Sequence, residues 1–206
     1  VKGVEFCNKG AELMLHSILQ ALDRQAIDYE LVLSPGYLLP YQQRAKLGAW
    51  QKLSFQLWGI DWTWLGNLAP AGLRRALRHF GILVEKEVDL VLDASGYVYK
   101  GDVYKGGSNK GLGGLKHMQQ TLGRIKRVPA YIFLPQAFGP FDSAKERDVM
   151  RQIIEAATLV MARDEVSLAS LQALNTTGPL GGSLSKLACF PDFTPLLDVR
   201  AAPLPM

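Results

Sequence analysis

The sequence predicts an α/β protein built on a Rossmann-like parallel sheet with helices on both faces. Three observations predict it. Short apolar runs alternate with longer runs of helical period along most of the chain. The apolar runs are nearly continuous, as strands covered on both faces must be. Each run stops at a polar or glycine-bearing corner, where a crossover helix can begin, and parallel strands need such crossovers.

Residues 1–6 read as the end of a strand, and Cys7-Asn8-Lys9-Gly10 as the turn after it. Ala11, Met14, Leu15, Ile18, Leu19 and Leu22 then recur at i, i+3, i+4, i+7, i+8 and i+11, one face of a helix. Asn8 suits its N-cap, and Glu12 places a negative charge in the first turn. Residues 29–33 form a second short strand. From 37 to 80 the pattern weakens. All four tryptophans (Trp50, Trp58, Trp62 and Trp64) lie here among helix-forming runs near 42–57 and 70–79. This stretch reads as a helical insertion packing its aromatics onto the domain, or as an aromatic sugar platform.

Residues 88–92 are the next strand, ending in Asp93-Ala94-Ser95-Gly96. A glycine- and lysine-rich loop, 97–114, leads to a helix at 116–125 with Met118 and Leu122 inward. Residues 130–134 are a strand that breaks at Pro135 into the corner Gln136-Ala137-Phe138-Gly139. Ser143 and Glu146 spell a capping box, in which hydroxyl and carboxylate each satisfy an orphan backbone N–H. The helix they open buries Val149, Met150, Ile153, Ile154 and Ala157. Residues 158–161 make a further strand ending in Ala162-Arg163-Asp164. Asp164 caps a helix that buries Leu168, Leu171 and Leu174. A polar loop, 175–185, precedes the last strand, 188–190, and the step Pro191-Asp192. Pro195, Pro203 and Pro205 mark a linker-like tail.

At 206 residues and 48% apolar, the chain can build a sizeable core, which excludes global disorder. No apolar run reaches the roughly 18 residues of a membrane helix. Cys7 and Cys189 stand far apart, which argues against a disulfide scaffold or zinc site and fits a reducing cytoplasm. The formal charge of +4 suits either a mildly basic soluble protein or one that meets an anionic ligand or membrane surface. No nucleic-acid-binding motif is present.

Familiar nucleotide motifs fail. Gly106 to Gly111 has P-loop spacing, but Leu112 and Gly113 stand where Lys and Ser or Thr are required. The loop carrying Lys100, Lys105, Lys110 and Lys116 reads as a solvated flap or as a phosphate clamp. His16, His79 and His117 are isolated, and His16 falls between the buried positions of its helix, toward solvent or a helix contact. Arg163 differs, because a guanidinium at a strand end can grip a carboxylate or phosphate; a structural pair with Asp164 or Asp192 is the alternative. The strands of the parallel sheet end on one edge, where five corners, at Asn8, Asp93, Gln136, Arg163 and Asp192, outline a ligand crevice.

Those corners resemble one family. Asn8-Lys9-Gly10-Ala11-Glu12, the Ser95-Gly96 corner, Pro135-Gln136-Ala137-Phe138-Gly139-Pro140-Phe141, Ala162-Arg163-Asp164 with Ser167 and Leu171, and Pro191-Asp192 are similar, in order and spacing, to motifs of the polysaccharide pyruvyl transferases. Ala137 stands where serine is commoner in that family, so a hydroxyl there is not essential. The resemblance implies a GT-B-like architecture of two Rossmann-like halves with the active site between them. The chain then reads as an N-terminal domain (1–194) and a linker (195–206), a fragment inactive alone. The implied activity is transfer of a pyruvyl group from phosphoenolpyruvate to a sugar or glycan as a ketal, in cell-surface or exopolysaccharide biosynthesis. No cofactor is implied beyond phosphoenolpyruvate as donor substrate. The cytoplasm is the expected location, with peripheral association to a membrane-bound lipid-linked glycan. The expected substrate-binding residues are Asn8, Gly10, Glu12, Ser95, Gly96, Gln136, Gly139, Arg163 and Asp192. The catalytic acid and base are expected in the second half. Alternatives are half of a nucleotide-sugar glycosyltransferase, or a non-catalytic binding module.

Overall fold

The computed structural model describes residues 1–57, 60–99, 114–177, 181–198 and 200. The chain forms two compact units. One holds Val1–Asp89 with the segment that starts at Thr194, the other Leu90–Phe193.

The first unit opens on α1 (Lys9–Arg24), where Asn8 Oδ1 accepts from the Gly10 N–H at 3.0 Å and so serves as the expected cap. Ala11, Leu15 and Ile18 are buried as the period requires, but so is His16. Of the two surroundings expected for His16, solvent and a helix contact, its burial excludes solvent. Residues 1–6 form no strand; only Lys2 makes an isolated bridge. Next come β1 (Val32–Leu33), α2 (Tyr41–Lys46), β2 (Trp50–Lys52), β3 (Gln56–Leu57), β4 (Ile60–Asp61), α3 (Ala71–His79) and β5 (Ile82–Leu83). β1, β2 and β5 make a parallel sheet with β2 in the middle. The stretch 37–80 is thus not a helical insertion, because it supplies the central strand of a sheet. Gly48 explains the difference: at φ +63° it ends the helix begun at Tyr41, and the chain after it runs extended.

The second unit is the more regular. It comprises β6 (Leu90–Asp93), α4 (Leu115–Ile125), β7 (Ala130–Gln136), α5 (Ala144–Ala156), β8 (Leu159–Ala162), α6 (Glu165–Gln172) and β9 (Leu187–Cys189). The strands lie side by side in sequence order, β6-β7-β8-β9, all parallel. One core joins Tyr131 and Phe133 of β7, Val160 of β8, Met118 and Leu122 of α4, and Met150, Ile153 and Ile154 of α5. Burying each of the larger side chains contributes roughly 1.5–3 kcal/mol. The capping box is formed, with Ser143 Oγ accepting from the Glu146 N–H at 3.1 Å and Glu146 Oε2 accepting from the Ser143 N–H at 2.9 Å.

The architecture is therefore α/β and Rossmann-like, carried by two parallel sheets rather than one. Residues 178–180 of the expected polar loop lie outside the described residues; the remainder forms short 3-10 turns at Ala173–Thr177 and Gly181–Lys186. Trp58, most of the glycine- and lysine-rich loop, and Pro203 and Pro205 likewise lie outside the described residues. Among the described residues no helix is long and apolar enough to cross a membrane.

Candidate functional site

In a parallel sheet every strand ends on the same edge, so β6, β7, β8 and β9 bring four of the expected corners together. Hydrogen bonds lace three of them. The Ala137 N–H donates to Gly96 O at 2.9 Å and the Gly139 N–H to Tyr99 O at 3.1 Å, joining the corners of β6 and β7. The Arg163 N–H donates to Gln136 O at 3.1 Å, and the Phe138 N–H to Ser167 Oγ at 3.1 Å, joining β7 to the start of α6. Asp164 caps α6 by accepting from the Ser167 N–H at 2.7 Å. That hydrogen bond, above all, holds its carboxyl below the ordinary value, against the upward pull of burial, with Arg163 adding to the effect. Two glycines allow the lacing. Gly96 and Gly139 have φ of +71° and +73°, and a Cβ on Gly139 would stand 2.7 Å from Ser170 Cβ.

Arg163 leaves the end of β8 with its guanidinium carbon 4.3 Å from the centre of the Tyr97 ring. Its Nε lies 3.5 Å from Asp164 Oδ2. Partial burial pulls its pKa down, but hydrogen bonds and charge from Tyr97 and Asp164 outweigh that, and the net shift is upward. The group is a permanent cation, partly exposed, oriented by an aromatic face on one side and a carboxylate on another. The structural pair with Asp164 is thus present, but it engages the Nε edge, while Asp164 Oδ1 is committed to the helix cap.

Beneath this edge lies a group that sequence reasoning missed. Asp93 is fully buried at the end of β6. Its Oδ2 accepts from the Tyr131 hydroxyl at 2.6 Å and from the Tyr99 hydroxyl at 3.1 Å. Its Oδ1 accepts from the Ser95 N–H at 3.1 Å and also from the Ser95 hydroxyl. Thr121 continues the network through the Tyr99 hydroxyl at 3.1 Å, toward His117. Burial, and then the Asp93 charge, push both tyrosines well above their ordinary pKa. An aspartate closing an apolar strand was the available signal, but its partners follow only from register. Asp93 pairs with Phe133, so Tyr131 lies on the diagonal two residues back, within reach of a long side chain.

The expected site residues divide accordingly. Ser95, Gly96, Gln136, Gly139 and Arg163 gather on the edge of the second unit. Ser95 turns its hydroxyl inward to Asp93. Gln136 is fully buried; its Nε2 donates to Asp93 O at 3.3 Å, and its Oε1 meets no donor among the described residues. Asp192 follows β9 and is exposed. Asn8, Gly10 and Glu12 belong to the first unit, where Asn8 caps α1 and Glu12 pairs with Lys9 at 2.6 Å. The Cys189 thiol at the end of β9 is pushed up, by desolvation first and then by the Glu165 charge, which makes it a poor nucleophile.

Chemically the edge offers a fixed cation beside a stiff backbone platform, suited to holding a small anion. No curated protein and no solved structure matches the chain. A family model described as polysaccharide pyruvyl transferase does match it, over residues 8–201. That span takes in Asn8, the laced corners, Arg163 and Asp192 alike, and the chain belongs to the polysaccharide pyruvyl transferase family.

Proposed function

We propose that this protein transfers the enolpyruvyl unit of phosphoenolpyruvate to two hydroxyls of one sugar, giving a cyclic ketal. The reaction balances without a redox partner. A proton adds to the donor's CH2 carbon, making it a methyl group, and the adjacent carbon takes up positive character. Two sugar oxygens bond to that carbon while its bond to the phosphate oxygen breaks. Of the two protons the sugar gives up, one balances that taken by carbon and the other leaves with phosphate. Such a reaction needs a cation for the donor's carboxylate or phosphate, an acid and a base.

The observation that carries this reading is Arg163, held between the Tyr97 ring and Asp164 on the strand-end edge. A guanidinium fixed on its Nε side can present its remaining N–H groups to a carboxylate or phosphate as a fork. Asp93 is a positioning residue beneath it, ordering the Ser95 corner and, through its carbonyl, Gln136. The acid that protonates carbon comes from outside this set of residues.

Kinetics of the full-length protein test the assignment. Arg163→Ala is expected to raise KM for phosphoenolpyruvate on the order of ten- to a hundred-fold, as loss of a charge-assisted bond of about 1.5–3 kcal/mol implies. Arg163→Lys should recover only part of it, since an ammonium keeps the charge but not the fork. Unchanged saturation in a folded Arg163→Ala variant would make Arg163 a structural residue and sink the assignment.

A further inference from the structure

We propose that α3, with the 3-10 segment Thr63–Leu68 before it, is a docking surface for an anionic lipid bilayer. An amphipathic helix ordinarily exists to bury its apolar stripe. Leu73, Ala76, Leu77 and Phe80 recur at i, i+3, i+4 and i+7, a complete stripe, yet no residue of α3 is buried. Leu73 is 51% exposed and Phe80 79%. The preceding segment adds Trp64, Leu65 and Leu68, all exposed.

The charge around the stripe says what should cover it. At 100° per residue, Arg74 and Arg78 fall to one side of the apolar stripe, and Arg75 and His79 to the other. From Trp62 to Val84 there is no aspartate or glutamate. Arg78 is paired with Glu87 at 3.0 Å, and Arg74 donates to Ala69 O at 3.0 Å, whereas Arg75 pairs with no carboxylate among the described residues. An apolar ridge of Leu, Phe and Trp beside Arg75, with no acidic residue from Trp62 to Val84, matches a headgroup plane. The rings and leucines enter the acyl boundary, and Arg75 reaches anionic phosphates. The chain's net charge of +4 favours the same encounter. Such docking would hold the protein at the surface where a lipid-linked glycan is presented, but the inference is independent of the reaction.

Flotation of the full-length protein with vesicles tests it. Co-flotation is expected with phosphatidylglycerol–phosphatidylcholine vesicles, not with phosphatidylcholine alone, and should weaken as salt rises. Arg75→Gln should lower apparent affinity about five-fold. Leu73→Ser combined with Phe80→Ser should abolish flotation while the unfolding temperature stays near that of the parent, because both side chains are exposed. Equal flotation with neutral vesicles, or none with either kind, would overturn the proposal. So would a concentration-dependent dimer that Phe80→Ser converts to monomer, since a second copy would then be the occupant.

Discussion

Asp93 and its two tyrosines show how a buried charge is made tolerable. A carboxylate removed from water is costly unless every lone pair is met, and this one accepts from two phenols, one hydroxyl and one backbone N–H. Tyr131→Phe is expected to cost about 1–3 kcal/mol near neutral pH, the range for leaving a buried acceptor short of a donor. A pH series separates this from simple packing loss. Both tyrosines have folded pKa values above the ordinary 10.0, for burial first and then for the Asp93 charge. Their stabilisation is therefore fully present below pH 10.0 and is lost as pH rises beyond it, because the unfolded chain ionises while the folded one keeps its protons. In Tyr131→Phe the alkaline decline measured by urea denaturation should be shallower. An identical slope would mean that Tyr131 ionises equally in both states. None of this was legible from residue types alone, since nothing in the spelling of positions 93, 99 and 131 pairs them.

At the scale of elements, the corners matter more than the strands. The capped starts of α1, α5 and α6 could be read directly, because Asn8, Ser143 with Glu146, and Asp164 are local signals whose partners lie within three residues. The stretch 37–80 could not. Its strand Trp50–Lys52 is three residues long and shows no alternation, and only its neighbours β1 and β5 make it a strand. Gly139 tests how far the lacing of corners depends on one missing Cβ. Gly139→Ala imposes both a left-handed φ and a 2.7 Å approach to Ser170 Cβ, and should cost about 2–3 kcal/mol. Gly96→Ala shares the φ but meets nothing within 4 Å, and should cost about 1 kcal/mol. Equal losses in the two variants, measured by denaturant unfolding, would mean that the contact with Ser170 is relieved by local movement.

For the molecule as a whole, the alternation of apolar and helical runs was enough to read an α/β fold, and the spelling of the corners was enough to read a family. The division into two sheets was not legible, because crossover patterning reports that strands are parallel but not which strands are neighbours. The site follows the same rule. Arg163 was visible as a cation at a strand end, whereas its seat on the Tyr97 ring depends on the fold bringing two corners together. Product analysis puts ketal formation on this edge to the test. Full-length protein is incubated with carbon-labelled phosphoenolpyruvate and a panel of lipid-linked and nucleotide sugars, and the products are read by carbon NMR and mass spectrometry. The expected result is a labelled quaternary ketal carbon bearing a methyl group on one sugar, with one phosphate released per ketal. Sugar transferred from a nucleotide donor, with no label entering the product, would contradict it.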